Sequence, residues 1–168
     1  MIDYQLAKAL FEYDPQSGAL TWRVGTRATP LGERAGSIAR HKVQAYTSYF
    51  NVTIFGERYK AHRIAWLLQT GSWPQKHIDH IDGNGLNNKW DNLREVTQGQ
   101  NACNQKVRSD STSGVKGVSY DKKRGMWYVY IDVDKKRKHL GRYDTKGEAV
   151  AVRAAAEKIY HGEYARSE

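Results

Sequence analysis

The sequence predicts an α+β protein, in which an N-terminal αβ region leads into a ββα core and a small three-stranded antiparallel sheet packs on one helix. Short segments that alternate apolar and polar residues are separated by turns rich in Gly, Asp and Asn. Other stretches repeat apolar residues at helical spacing and end near a glycine. Two capping boxes, Thr97 to Gln100 and Thr145 to Glu148, mark helix starts directly after predicted strands.

Residues 1–60 are predicted to form the N-terminal region. Asp3 can cap a short helix, which the Pro- and Gly-containing turn at 14–18 brings to an end. The apolar residues of this helix are Leu6, Leu10 and Phe11. The predicted strands cover residues 19–24, 46–55 and 58–60. We expect residues 25–45 to be irregular and basic.

Residues 61–104 are predicted to form the ββα core, beginning with a helix over 60–69. This helix has one apolar face and ends at Gly71, where a left-handed C-cap is expected. His62 and Arg63 lie beside the apolar face. His62 is either a partly buried histidine with its hydrogen bonds satisfied or a contact to phosphate or substrate.

The core continues with two short strands and a second helix. Strands are predicted at 76–81 and 93–96, and the polar loop 82–91 connects them. The capping box at Thr97 then starts a helix that returns across the two strands. Asn101 is expected just after the first turn of that helix.

A basic linker, residues 105–113, is predicted to lead into a C-terminal domain, residues 114–168. The predicted strands of this domain cover residues 115–120, 126–133 and 137–143. In the middle strand the apolar side carries Trp127, Val129, Ile131 and Val133, and the exposed side carries Tyr128, Tyr130 and Asp132. The helix after Thr145 is expected to pack on the sheet through Ala149, Val152, Ala155, Ala156 and Ile159.

The composition predicts a polyanionic partner. The net charge is +9, from 27 Lys and Arg against 18 Asp and Glu, with 11 Tyr and five Trp. Residues 105–168 hold 15 Lys and Arg against nine Asp and Glu, whereas residues 61–104 hold four of each. A single cysteine, Cys103, excludes an internal disulfide. With no apolar run of roughly 18 residues and no signal-peptide pattern, we expect a soluble, cytoplasmic protein.

One short stretch concentrates groups suited to chemistry: Asp79, His80, Asn92 and Asn101. In a compact ββα unit, Asp79, His80 and Asn101 would converge on one side. Carboxylate and amide oxygens suit a hard divalent cation, and an imidazole can take a proton from water. Asn92 could hold the His80 ring through its other nitrogen. Asp82 is either a further metal ligand or part of a turn with Gly83. The cluster favours hydrolysis of a phosphodiester.

These residues resemble the motif of the HNH endonucleases, in the variant whose last His is replaced by Asn, and in particular that of the phage and intron-encoded homing endonucleases. The resemblance covers roughly residues 78–104. It implies a ββα-metal site in which His80 is the general base, Asn92 orients it, and Asp79 and Asn101 bind the metal. The implied cofactor is a divalent metal, Mg²⁺ with Mn²⁺ as the alternative. Because the cysteine pairs that brace some HNH proteins are missing, no structural zinc is expected.

Residues 113–164, including Gly117, Val118, Trp127 and the run 139–143, resemble the Apetala-type ethylene-response-factor (ERF) DNA-binding domain. That family lays its three-stranded sheet in the major groove, which implies double-stranded DNA as the partner. Ser119 and Asp132 stand where the plant family typically has Arg, so its target sequence does not carry over. The predicted DNA contacts are Arg63, Lys106, Arg108, Lys116, Ser119, Tyr130, Arg137 and His139.

Together these features predict a metal-dependent DNA endonuclease that hydrolyses phosphodiester bonds, as a site-specific nicking or homing enzyme. We expect it to act as a monomer in a phage or bacterial setting. One alternative is a non-catalytic, sequence-specific DNA-binding regulator with a degenerate HNH core. Another is an RNA-binding protein that uses the same basic, aromatic sheet.

Overall fold

A computed structural model describes most of the chain. The described residues are 1–25, 30–38, 48–103, 107, 111–134 and 136–164. The chain divides into two compact units, Met1–Val96 and Thr97–Glu168, called here the first unit and the second unit. Each unit contains helices and antiparallel strands, so the predicted α+β class is confirmed. Among the described residues, no helix is long and apolar enough to cross a membrane.

The first unit combines helices with small antiparallel sheets. Its elements are α1 (Tyr4–Leu10), β1 (Phe11–Asp14), β2 (Ala19–Trp22), β3 (Ser37–Ile38), β4 (Phe50–Ile54), β5 (Glu57–Lys60), α2 (Ala61–Thr70), β6 (His77–His80) and β7 (Leu93–Val96). β1 pairs with β2, β4 lies between β3 and β5, and β6 pairs with β7. The strand predicted at 93–96 has the bounds expected from the sequence.

Two segments of the N-terminal region differ from the prediction. Phe11 was assigned to the helix, but its backbone is extended, with φ −130°, and it begins β1 opposite Trp22. The buried Phe11 ring lies 4.5 Å from the Trp22 ring, so cross-strand packing outweighs the helical pattern. Residues 25–45 were predicted to be irregular, yet Ser37–Ile38 form a strand because their backbones pair with β4.

Helix α2 provides the packing that positions the β6–β7 hairpin. Ile64 is fully buried in the core that α2 shares with α1, β1, β2 and β4. Farther along the helix, Ala65 packs against Ile78 of β6 and Leu93 of β7. The helix ends at Gly71, which adopts the predicted left-handed conformation with φ 79°. The hairpin is therefore fixed on one face of α2.

The loop between β6 and β7 is anchored to the turn between β1 and β2. The amide of Trp90 donates to the carbonyl of Pro15 over 3.0 Å, and the Tyr13 hydroxyl donates to the carbonyl of Asn88 over 2.7 Å. Gly18 has φ 73°, and a Cβ there would lie 2.4 Å from the carbonyl carbon of Asn88. Only glycine permits both this conformation and this close approach.

The second unit contains the predicted three-stranded meander. Its elements are α3 (Gln98–Cys103), β8 (Val118–Asp121), β9 (Met126–Val133), β10 (Lys136–Tyr143) and α4 (Lys146–Tyr160). β9 lies between β8 and β10, and both pairings are antiparallel. Both predicted capping boxes are formed, since Thr97 exchanges hydrogen bonds with Gln100 and Thr145 with Glu148.

Helix α4 packs on the sheet through a face that differs in part from the prediction. Ala149 and Ala156 are buried as expected, but Ile159 is 75% exposed and Ala155 is also exposed. The buried face includes Arg153 instead, 4% exposed, whose guanidinium forms an ion pair with Glu157. The spacing of apolar residues alone therefore does not identify the buried face of α4.

Candidate active site

His80 is the last residue of β6 and lies within a cluster of rings. Its side chain is buried, and its ring centroid lies 5.0 Å from that of His62 and 5.8 Å from that of Tyr49. Side chains alternate along a strand, so Ile78 and His80 turn toward α2 together. The imidazole therefore lies between α2, the segment before β4 and the β6–β7 loop.

The ring of His80 is held by a residue that the sequence did not single out. Its Nε2 lies 3.0 Å from Oδ1 of Asn88, and both side chains are buried. An amide oxygen only accepts hydrogen bonds, so the neutral ring carries its hydrogen on Nε2 and a lone pair on Nδ1. Burial lowers the pKa of His80 despite the Asn88 hydrogen bond, which keeps the imidazole neutral near pH 7.

Asn92, which was predicted to hold the His80 ring, instead braces the loop. Its Nδ2 donates to Oδ1 of Asp82 and to the carbonyl of Asn87, and its Oδ1 accepts from the amide of Asp82. The predicted contact with His80 is therefore wrong. The reason is that Asn92 directly precedes β7, where its side-chain amide faces the backbone that follows β6. Its link to His80 is indirect, because its carbonyl accepts from the amide of Ile81.

Asp82 was predicted to be either a metal ligand or a turn residue, and in the structure it forms the turn. Its carboxylate accepts hydrogen bonds from the amide of Asn84 at 2.8 Å and from the side chain of Asn87 at 2.7 Å. Although burial alone would raise the pKa of Asp82, these hydrogen bonds hold it below its usual value. The carboxylate is thus an ionised turn residue, engaged with the loop.

Asp79 lies directly opposite Arg94 in the hairpin and forms an ion pair with it. Both Nε and an Nη of Arg94 lie 3.0 Å from Oδ2 of Asp79. The Asp79 side chain is only 7% exposed, so the guanidinium compensates a carboxylate that is shielded from water.

The donors near Asp79 fit a hard cation rather than a closed metal cage. In the described part of the chain, no three His, Cys, Asp or Glu side chains are grouped to hold a metal ion. Mg²⁺ keeps several waters and typically uses one or two carboxylates together with substrate phosphates, so Asp79 plus one amide is a suitable set. Asn101, the predicted amide ligand, lies on α3 of the second unit. Its approach to Asp79 stays a prediction.

His62 is a buried neutral histidine. It is 4% exposed, and burial, with the nearby charges of His80 and Lys60, lowers its pKa to about 3. A ring that does not protonate above this value cannot pair with phosphate as a cation. This favours the structural reading of His62, in which it packs edge-on against the rings of His80 and Tyr49.

Lys60 and Tyr49 complete the cluster, and neither was predicted. The Lys60 ammonium lies 4.1 Å from the centroid of the Tyr49 ring, an arrangement that permits a cation–π contact. Desolvation of the Lys60 ammonium, together with the charge of Arg63, lowers its pKa. Its positive charge also acts on His80. No local pattern predicts this pair, because the β4–β5 hairpin is what brings Lys60 close to Tyr49.

The basic residues predicted outside the C-terminal sheet have different surroundings. Arg63 donates to the carbonyls of Pro74 and Lys76, so its guanidinium supports the segment between α2 and β6. A DNA contact by Arg63 stays a prediction. Lys106 and Arg108 lie outside the described residues.

One face of the second-unit sheet brings several predicted DNA contacts together. Ser119 lies opposite Tyr128, and Tyr130 lies opposite His139. Ser119 and His139 are exposed, whereas the tyrosines are half-buried. The ring of His139 lies 4.7 Å from that of Tyr128. Lys116, also predicted to contact DNA, precedes β8 and is half-buried.

Arg137 lies on the same face, where two neighbours already hold it. Its guanidinium donates to both carboxylate oxygens of Asp132 at 2.9 and 3.0 Å, and its central carbon lies 3.8 Å from the centroid of the Tyr130 ring. The hydrogen bond from Arg137 lowers the pKa of Asp132. The charge of Arg137 is therefore largely balanced within the sheet.

Comparisons with known proteins bear on both units. Residues 59–103 match a protein-family model described as HNH endonuclease. Protein 3.8 of Escherichia phage T7 is 38% identical over 112 residues, which cover 64% of this chain and 92% of that protein. A solved structure, described as DNA binding and cleavage by the HNH homing endonuclease I-HmuI, aligns over 96% of this chain and 90% of its own, with 18% identity and a TM-score of 0.40.

Proposed function

Because this chain belongs to the same family as Protein 3.8 of Escherichia phage T7, and residues 59–103 form an HNH endonuclease domain, we propose that it is a DNA endonuclease that hydrolyses phosphodiester bonds. The observation that carries the proposal is the state of His80. Its imidazole is buried and neutral, and because Nε2 donates to Asn88, the lone pair of the ring is on Nδ1.

In the proposed reaction His80 is the general base. Its Nδ1 takes a proton from a water molecule as the water oxygen attacks phosphorus, the bond from phosphorus to the leaving oxygen breaks, and that oxygen takes a proton from solvent. Asp79 and Asn101 would hold a divalent cation, Mg²⁺ or Mn²⁺, which when bound offsets negative charge on the phosphate. Asp79 and His80 are the last two residues of β6, and we propose that the phosphate lies beside the end of this strand.

We further propose that residues 114–168 of the second unit form an ERF-like module, which binds double-stranded DNA through the exposed face of its sheet. The support is the shared face of Ser119, Tyr130 and His139 and the three-stranded sheet packed on one helix. A β-sheet of this size can enter the major groove. With one catalytic site per chain, a monomer would nick one strand at a preferred site.

Replacing Asp132 should strengthen DNA binding by the second unit. In the Asp132→Ala variant Arg137 loses its carboxylate partner and becomes available to a phosphate, and the face loses one negative charge. The logarithm of affinity falls with the logarithm of salt concentration by about 0.9 for each phosphate contact. The slope of log affinity against log salt concentration should therefore steepen by about one. Affinity at low salt should rise severalfold. Anisotropy titrations of duplex DNA measure both effects.

The matched control for that variant is Asp144→Ala. Asp144 is exposed just after β10 and has no ion pair among the described residues, so the net charge changes equally without releasing an arginine. The same steepening in both variants would show that only net charge matters. An unchanged slope in Asp132→Ala would count against a role for Arg137 in DNA binding.

The catalytic proposal is tested with supercoiled plasmid DNA. Incubation with Mg²⁺, and separately with Mn²⁺, should convert the plasmid to the nicked form, and EDTA should stop the conversion because the cation is removed. Gel electrophoresis over time measures the rate. If the protein binds duplex DNA yet cuts none of several DNA sources with either metal, the non-catalytic regulator becomes the better reading. Preference for single-stranded RNA over duplex DNA would point to the RNA-binding alternative.

A further inference from the structure

We propose that Asn88 is the residue that positions the general base, because its side-chain oxygen accepts the Nε2 hydrogen of His80 and so fixes the tautomer in which Nδ1 receives the proton. The inference rests on the proposed nuclease function. It moves the orienting role in this chain from Asn92, where the motif predicts it, to a neighbouring amide in the same loop.

The contact has the geometry that such a role requires. His80 Nε2 and Asn88 Oδ1 are 3.0 Å apart, and the residues are 4% and 5% exposed. Water therefore competes poorly for either atom, and the amide remains the partner of the ring. A neutral imidazole presents one donor and one acceptor, so occupying Nε2 with an acceptor decides which nitrogen is the base.

The position of Asn88 is itself determined by the β1–β2 hairpin. The Tyr13 hydroxyl donates to the Asn88 carbonyl over 2.7 Å, and burial raises the pKa of Tyr13, so it stays protonated and able to donate. Gly18 lies against the same peptide group, where any side chain would collide with it. The backbone of Asn88 is therefore clamped on one side while its side chain reaches the imidazole on the other.

The other loop asparagines serve a different purpose. Asn87 donates to Asp82, and Asn84 accepts from the amide of Leu86. These contacts shape the loop, and none of them reaches a ring nitrogen of His80. Asn87 thus offers a matched control, because it is the sequence neighbour of Asn88 and its side chain stabilises the same loop without contacting the base.

The first experiment reads the tautomer directly in metal-free protein. Long-range ¹H–¹⁵N NMR correlations of the His80 ring separate a nitrogen that carries hydrogen from one with a lone pair. We expect the Nε2–H form in the wild type, in Asn88→Asp, which keeps an acceptor, and in Asn87→Ala. We expect Asn88→Leu, which has similar volume and no acceptor, to give a mixture of tautomers.

The second experiment measures single-turnover cleavage and substrate dependence. Asn88→Leu should lower kcat by about 10- to 100-fold, the usual cost of losing a group that orients a reacting side chain, with KM nearly unchanged. Asn88→Asp should recover most of that loss. If Asn88 merely stabilised the loop, Asn88→Leu and Asn88→Asp would both lower the unfolding temperature. The two variants would then not differ from each other in kcat or in the tautomer of His80.

An Nδ1–H tautomer in the wild type would overturn the proposal, and that measurement does not depend on whether Asn88→Leu folds. Unchanged tautomer and kcat in a folded Asn88→Leu variant would also overturn it. If instead the wild type cuts no DNA while its ring carries hydrogen on Nε2 and loses that preference in Asn88→Leu, the nuclease assignment fails and the Asn88–His80 bond stands.

Discussion

His80→Ala should abolish most DNA cleavage, lowering the single-turnover rate by about 10²- to 10⁴-fold, which is the range expected for the loss of a general base. In the proposed mechanism Nδ1 of this imidazole takes the proton from water, and the described residues around it, Tyr49, His62 and Asn88, supply no other base near neutral pH. Plasmid nicking with saturating Mg²⁺ measures the effect.

The control for His80→Ala is His77→Ala on the same strand. His77 is exposed, whereas His80 is buried, so the control removes an equivalent imidazole from β6 without touching the ring cluster. DNA affinity, measured in EDTA by anisotropy, should be the same in both variants. A His80→Ala variant that folds, binds DNA and still cuts at the rate of the wild type would remove His80 from the mechanism.

Mild acid should destabilise the first unit, because His62 is buried without charge. Its pKa is about 3 in the folded protein and near 6.5 when the chain unfolds, so between these values the unfolded state binds more protons. Stability is then fully present above about pH 6.5 and falls toward pH 3. Each pH unit within that window costs about 1.4 kcal/mol, which amounts to roughly 2 kcal/mol between pH 6.5 and 5.

Urea unfolding followed by tryptophan fluorescence measures this loss, since Trp22, Trp66, Trp73 and Trp90 all belong to the first unit. Replacing the ring by an amide in His62→Gln removes its titration and should flatten the pH dependence in part. His80 adds the remainder because burial also lowers its pKa. His77→Gln should leave the slope in place. An equally steep slope in His62→Gln would assign the acid sensitivity to other groups.

The elements that hold the site were predicted well where their signals are local. β7, the end of α2 at Gly71 and both capping boxes follow from residues within one or two turns of each other. The motif likewise located His80 and Asp79, because the spacing of its members along the chain is characteristic. Such features can be predicted without knowing which other elements of the fold pack against them.

The features that were missed depend on distant contacts. Asn88 and Asn92 are both asparagines of one loop, and only the anchoring of Asn88 by Tyr13, 75 positions earlier, decides which amide meets the ring. β3 exists because β4 pairs with it, and its own sequence is weakly strand-like. Arg153 is buried on α4 although arginine is usually exposed, so a hydrophobic pattern points to Ile159 instead.

The contacts of Tyr13 and Gly18 with Asn88 limit how the HNH segment can be exchanged between proteins. The segment 59–103 carries every residue of the motif, and a transplant guided by the motif would take only that segment. Such a transplant would leave out the β1–β2 hairpin, whose residues Tyr13 and Gly18 hold the backbone of Asn88. A transplant that keeps the Asn88–His80 contact would therefore need the β1–β2 hairpin as well, and recombination that separates the two would transfer the motif without its geometry.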